Sequence, residues 1–134
     1  MYKGRIIAVD FDDTLNDGHW DEQTGECTYN IYQPLVNALV NFQKAGGKVI
    51  LWTCRGDKYI KAAVLACKRA GIYFDAVNTN VSDVYEWFDD FSSPKIYADL
   101  YIDDKACPLN MDVNVYRTQM ICSVMQMTAD LLLI

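Results

Sequence analysis

Apolar runs of strand length alternate along this chain with helix-length amphipathic segments, and that order constrains the fold more than any other feature. Residues 5–10 read as a buried strand from Ile6-Ile7-Ala8-Val9, and residues 48–53 are again β-rich. Between them a helix starts at Pro34, sets Leu35, Val36, Leu39, Val40 and Phe42 broadly on one side, and stops at Gly46-Gly47. A second helix over 57–70 carries Tyr59, Ile60, Ala63, Val64 and Cys67 at helical spacing, with Gly71 as its stop and a basic opposite face of Lys58, Lys61, Lys68 and Arg69. A short third strand at 74–77, a brief helix near 84–88 capped by Ser82, and a fourth strand at 96–102 follow. Alternation of this kind predicts a doubly wound, Rossmann-like α/β domain, a parallel sheet with helices on both faces. The whole of 1–134 reads as one such domain, because no linker, repeat or low-complexity tract divides it.

Parallel α/β sheets bind ligands outside the carboxyl ends of their strands. The residues to inspect are therefore Asp10 and Asp12, Thr53 and Arg55, Asn78 and Asn80, and Asp103 and Asp104. Ile6 to Val9 run straight into Asp10-Phe11-Asp12-Asp13-Thr14-Leu15, which puts three acids at the end of an apolar strand. Like charges so close raise one another's pKa unless a cation or hydrogen-bond donors compensate. Asp103-Asp104 ends another apolar strand, and if the two strands are neighbours an all-oxygen ligand set forms that suits Mg²⁺. Zinc is disfavoured: the single histidine is His19, and none of the five cysteines forms a C-x-x-C pair.

Four apolar residues followed by D-x-D-x-T resemble the first motif of the haloacid dehalogenase superfamily, which residues 6–15 match without a gap. The further motifs fall in that family's order: Thr53 ending Leu51-Trp52-Thr53, Lys95 ahead of the last strand, and Asp103-Asp104 closing it, so the resemblance covers residues 5 to about 106. It implies a Mg²⁺-dependent phosphohydrolase. Asp10 would be the nucleophile that forms an aspartyl-phosphate, and Asp12 the acid that protonates the leaving oxygen and then the base that activates water. Asp10, Asp103, Asp104 and the backbone carbonyl of Asp12 would hold Mg²⁺. Thr53 would bond the transferring phosphoryl group and Lys95 would neutralise charge beside it, with Lys58, Lys61, Lys68 and Lys105 as other lysines available.

Thr53, Cys54 and Arg55 form the expected substrate-binding set, Arg55 serving either to clamp a phosphate or carboxylate or in a surface salt bridge. A cysteine-phosphatase loop is excluded, because Arg55 follows Cys54 at once instead of after six residues. Asp13 reads as a solvated or capping residue. Residues 15–33, with Gly18, His19, Trp20 and Gly25, resemble the family's small flap, and the interval from Thr14 to Thr53 has no room for a large cap domain besides. In the family, capless members often act on exposed phosphates of larger molecules or use a neighbouring subunit as a lid. A nucleotide or polynucleotide end phosphate, a sugar phosphate and a phosphoprotein are the candidate substrates. The alternative is a noncatalytic phosphate- or metal-binding module of receiver type, against which the chain order of the acids argues, since a receiver's acid pair follows its first strand and its phospho-accepting Asp its third.

A helix over about 112–133 ends the chain, with Val113, Tyr116, Met120, Val124, Met127 and Leu131 near one stripe, either packed on the domain or forming a Met-rich face for a homo-oligomer. Its Asp112, Arg117 and Asp130 disqualify it as a membrane span. After Lys3 and Arg5 the apolar run ends at Asp10, too short for a signal-peptide core, and the unpaired cysteines read as reduced thiols; both point to a cytoplasmic protein. The net charge of −6 argues against nonspecific binding to duplex DNA or anionic membrane, and 51% hydrophobic residues exclude disorder as the main state.

Overall fold

A computed structural model describes residues 4–19, 21–88, 90 and 92–133; the flap residue Trp20 and the N-terminal Lys3 lie outside them. Four strands, β1 (Ile6–Val9), β2 (Lys48–Leu51), β3 (Ala76–Val77) and β4 (Leu100–Ile102), form one sheet in the order β3-β2-β1-β4. All three pairings are parallel, with Val9 opposite both Leu51 and Ile102. The chain thus steps outward from β1 to β2 to β3 and then crosses back past β1 to β4, which makes the gap between β1 and β4 the switch point of the sheet.

Strand alternation divides the core in two. Ile7, Val9, Val49, Leu51 and Ile102 face the helices α1 (Gln33–Lys44), α2 (Asp57–Ala70) and α3 (Val113–Leu132), through Leu35, Leu39 and Phe42 of α1, Ala63 and Cys67 of α2, and Tyr116 and Val124 of α3. Ile6, Ala8 and Ile50 face the other way and are covered by Val81, Val84, Ile96 and Ala98 with the aromatic rings of Trp52, Trp87 and Tyr97. Helices flank both faces, as expected, but unequally: among the described residues three α-helices lie on one and a 3-10 helix over Ser82–Glu86 on the other. No large cap is present among the described residues.

Helix ends follow the sequence closely. Pro34 stands in the first turn of α1, and Gly71 ends α2 at φ 107°, a backbone that L side chains rarely adopt. Asp112 caps α3 by accepting from the Asn114 N–H at 2.8 Å. Ser82, by contrast, caps nothing: Val81 occupies the N-cap position and Ser82 is the first residue of the 3-10 turn.

Two strands are shorter than their apolar runs, for one shared reason. Asp99 accepts from the N–H groups of Arg5 and Ile6, both at 2.9 Å, and Asp75 accepts from the Val49 N–H at 2.8 Å. Each carboxylate takes donors that a longer strand would have bonded through its backbone, so β4 begins after Asp99 and β3 after Asp75. The Tyr101 hydroxyl reinforces the bend before β4 by donating to the Ile96 carbonyl at 2.6 Å.

The long helix α3 packs mainly on α1, with Met120, Met127 and Leu131 joining Tyr116 and Val124 against the core. Among the described residues no helix is long and apolar enough to cross a membrane. All five cysteines are free thiols.

Candidate functional site

The sheet register decides which acids meet. Val9 lies opposite Ile102, and the Asp10 N–H donates to the Ile102 carbonyl at 2.8 Å, so Asp10 follows β1 at the same level as Asp103 follows β4. One carboxylate oxygen from each of Asp10, Asp103 and Asp104 lies within 4.8 Å of the others. Thr14, fully buried, bridges them: its hydroxyl lies 3.1 Å from Asp10 Oδ2 and 3.3 Å from Asp104 Oδ1 and accepts from the Asp104 N–H at 2.9 Å. A hydroxyl has one proton, so it serves one of the two carboxylates at a time. Asp10 responds by holding its proton more tightly. Burial first, then the Asp104 carboxyl and the charge of Asp103, push its pKa up from 3.8 to about 7, with Thr14 opposing.

An all-oxygen cluster with such unrelieved charge fits a hard divalent cation of the Mg²⁺ kind. Among the described residues, the side chains grouped so that they could hold one are those of Asp10, Asp103 and Asp104.

Beside the acids opens a cavity of about 290 Å³ lined by Asp10, Trp52, Thr53, Cys54, Asn78 and Asp103. Asn78 fixes its far wall. At φ 52° its amide turns back onto β2, accepting from the Thr53 N–H at 2.8 Å and donating to the Thr53 carbonyl at 2.9 Å. The Thr53 hydroxyl accepts from the Arg55 N–H at 3.1 Å, which leaves its own proton for a ligand in the cavity. Cys54 is exposed on the rim.

Two expected residues are placed elsewhere. The Asp12 carboxylate stands outside the cluster, held in a two-pronged ion pair with Arg55: Nε to Oδ2 at 2.9 Å and Nη2 to Oδ1 at 2.8 Å. Lys95 is exposed, its ammonium 5.5 Å from the centre of the Tyr101 ring, and it lines a different cavity with Phe88, Ser93 and Tyr97. The neighbours that govern Asp10 are acids and a threonine, and the lysine in ion-pair contact with the cluster is Lys105, 3.8 Å from Asp104 Oδ2 and largely in solvent.

The flap is a narrow antiparallel arm. Asp17 N–H bonds the Asn30 carbonyl, Thr28 N–H the His19 carbonyl and Asp21 N–H the Glu26 carbonyl. Gly18 is required in it, since a Cβ there would stand 1.7 Å from the Thr28 carbonyl oxygen. His19 is exposed, whereas Tyr29 and Cys27 turn inward onto Arg55.

Behind the site lie two residues that sequence reasoning did not single out for function. Tyr116 accepts from the Asp103 N–H at 3.2 Å, and the neighbouring Arg117, only 4% exposed, donates to the Asp13 carbonyl at 2.7 Å and pairs with Asp17. Asp13, at φ 63°, is the exposed turn residue whose backbone that arginine holds. The one signal in the sequence was an arginine beside the apolar stripe of α3.

The sequence matches no protein-family model and no curated protein. It is similar to a solved structure, that of a conserved protein from Bacteroides thetaiotaomicron, with 26% identity, a TM-score of 0.60, and a match covering 88% of this chain and 90% of that one. That likeness spans sheet and helices together and supports the parallel, Rossmann-like α/β architecture.

Proposed function

We propose that this chain is a Mg²⁺-dependent phosphohydrolase of the haloacid dehalogenase type, acting on phosphate monoesters. The observation that carries the reading is the meeting of Asp10, Asp103 and Asp104 at the switch point, beside a cavity walled by Thr53, with burial and the two neighbouring acids raising Asp10 to about 7. Bound Mg²⁺ would supply the positive charge that lets two anions, nucleophile and phosphoryl group, approach.

A phosphoryl group in the cavity would meet the Thr53 hydroxyl on one side and Asp10 on the other. A carboxylate oxygen of Asp10 forms the bond to phosphorus as the ester P–O bond breaks, leaving an aspartyl-phosphate. Asp12, once released from Arg55 and protonated from solvent, would give that proton to the departing oxygen, then take one from the water that attacks phosphorus and releases inorganic phosphate and free Asp10. Lys95 has no part in this scheme, because its ammonium lies over Tyr101. A receiver-type module is disfavoured by topology: that order sets β1 between β2 and β3, whereas here β1 lies between β2 and β4.

The test is hydrolysis of para-nitrophenyl phosphate by the purified protein with and without Mg²⁺, wild type beside Asp10→Asn. Mg²⁺-dependent turnover abolished in the variant is expected. Full activity in Asp10→Asn would remove Asp10 as nucleophile.

A further inference from the structure

The Arg55–Asp12 pair joins two groups of very different freedom. The guanidinium is fixed on every side: Nη1 donates to the Tyr29 hydroxyl at 3.3 Å and the Tyr59 carbonyl at 3.2 Å, and its carbon lies 4.7 Å from the centre of the Phe11 ring and 5.7 Å from that of Tyr29. Its side chain is 13% exposed, while that of Asp12 is 50% exposed. Asp12 is short and half in water, so it is the partner able to leave. Arg55 is therefore a preformed, planar oxyanion fork that Asp12 fills from within the chain. Its backbone follows directly on Thr53 and Cys54, which line the cavity, and its N–H bonds the Thr53 hydroxyl at 3.1 Å.

The geometry points to Arg55 as the subsite for a second anionic group on the substrate, a carboxylate or a further phosphate borne by the leaving group. That oxyanion displaces Asp12 from the fork and frees it to turn toward the leaving oxygen. The substrate class is then a phosphate monoester with a second anion, and esters lacking one leave Asp12 tied to Arg55. This inference rests on the phosphohydrolase reading for its catalytic half, whereas the binding half stands on the ion pair alone.

Two probes that differ at one group decide it: 3-phosphoglycerate, which carries a carboxylate, and glycerol 3-phosphate, which does not. With Mg²⁺ present, wild type is expected to favour the first in kcat/KM by about ten-fold or more, the scale of a hydrogen-bonded charge pair. Arg55→Ala should bring the ratio to near one. Arg55→Lys keeps the charge without the fork, should lose most of the preference, and serves if the alanine variant fails to fold. The binding arm reads the competition directly by calorimetry. Asp12→Asn replaces the internal carboxylate with a neutral amide, and is expected to tighten 3-phosphoglycerate about five-fold or more while leaving glycerol 3-phosphate nearly unchanged. A purely structural ion pair would weaken both ligands or neither. Equal kcat/KM for the two esters in wild type, a preference that survives in both Arg55 variants, or no selective tightening in Asp12→Asn would overturn the assignment. Failure of wild type to hydrolyse either ester would instead overturn the phosphohydrolase reading, and the Asp12→Asn binding result would still decide the role of Arg55.

Discussion

Removing the charge of Asp10 should stabilise the metal-free protein at alkaline pH, although it destroys the nucleophile. Asp10 titrates at 3.8 when unfolded and about 7 when folded, so the folded state binds the proton more tightly. Its contribution to stability is complete below about 3.8, is lost progressively as pH rises through about 7, and then stays lost. At about 1.4 kcal/mol per pH unit the full difference is on the order of 4 kcal/mol. Asp10 keeps partial solvent contact at the cavity, and discounting for screening leaves about 2 kcal/mol. With an unfolding entropy of about 0.28 kcal/mol/K for 134 residues, Asp10→Asn should raise Tm by about 7 °C at pH 8 in chelator. Near pH 4 the gain should nearly vanish, because the wild-type carboxyl is then protonated in the folded state. Saturating Mg²⁺ should close the gap from the other side, by raising the wild type more than the variant. The assay is thermal unfolding followed by circular dichroism at both pH values. A variant that melts below wild type at pH 8 without metal, or that gains equally at pH 4, would refute the account of a strained carboxylate cluster.

Two further substitutions test the placement of side chains. Lys95→Ala should change kcat/KM for para-nitrophenyl phosphate by less than about three-fold, since its ammonium lies over Tyr101; a loss beyond about a hundred-fold would return Lys95 to the reacting phosphoryl group. Arg117→Met removes a buried donor from the Asp13 carbonyl and from a half-exposed Asp17, and should cost about 2 kcal/mol in urea unfolding; a loss under about 0.5 kcal/mol would show those contacts to be idle.

What could be read from the sequence was what depends on local spacing. The apolar run into Asp10, the capping of α2 by Gly71 and the stripe on α3 are each set within a few residues, by burial period or backbone sterics. The meeting of Asp10 with Asp103 and Asp104 followed from one more step, strand adjacency at the switch point. The partners of long side chains did not follow. Asp12 and Arg55 are 43 residues apart, and a bidentate pair between them depends on where the flap and the start of α2 lie, which no spacing rule encodes. The placement of Lys95 did not follow either: its position before β4 matched the expected order, but the bend made by Asp99 and Tyr101 turns that segment over the opposite face of the sheet. Asp75 and Asp99 shortened two strands by substituting carboxylate for backbone, a competition invisible to hydropathy.

The grip of α3 on the loops behind the acids bears on the order in which the molecule folds. Arg117 reaches the Asp13 carbonyl across 104 residues of chain, while Tyr116 holds the Asp103 N–H only 13 residues away. Closing so long a loop carries an entropy that only many simultaneous contacts can offset. The arginine is therefore expected to dock once the sheet and α1 are in place. A chain with every acid already paired along β1 and β4 would still have an unbraced turn at Asp13, so competence for ligand is expected to arrive after the bulk of the secondary structure, with the last helix to settle.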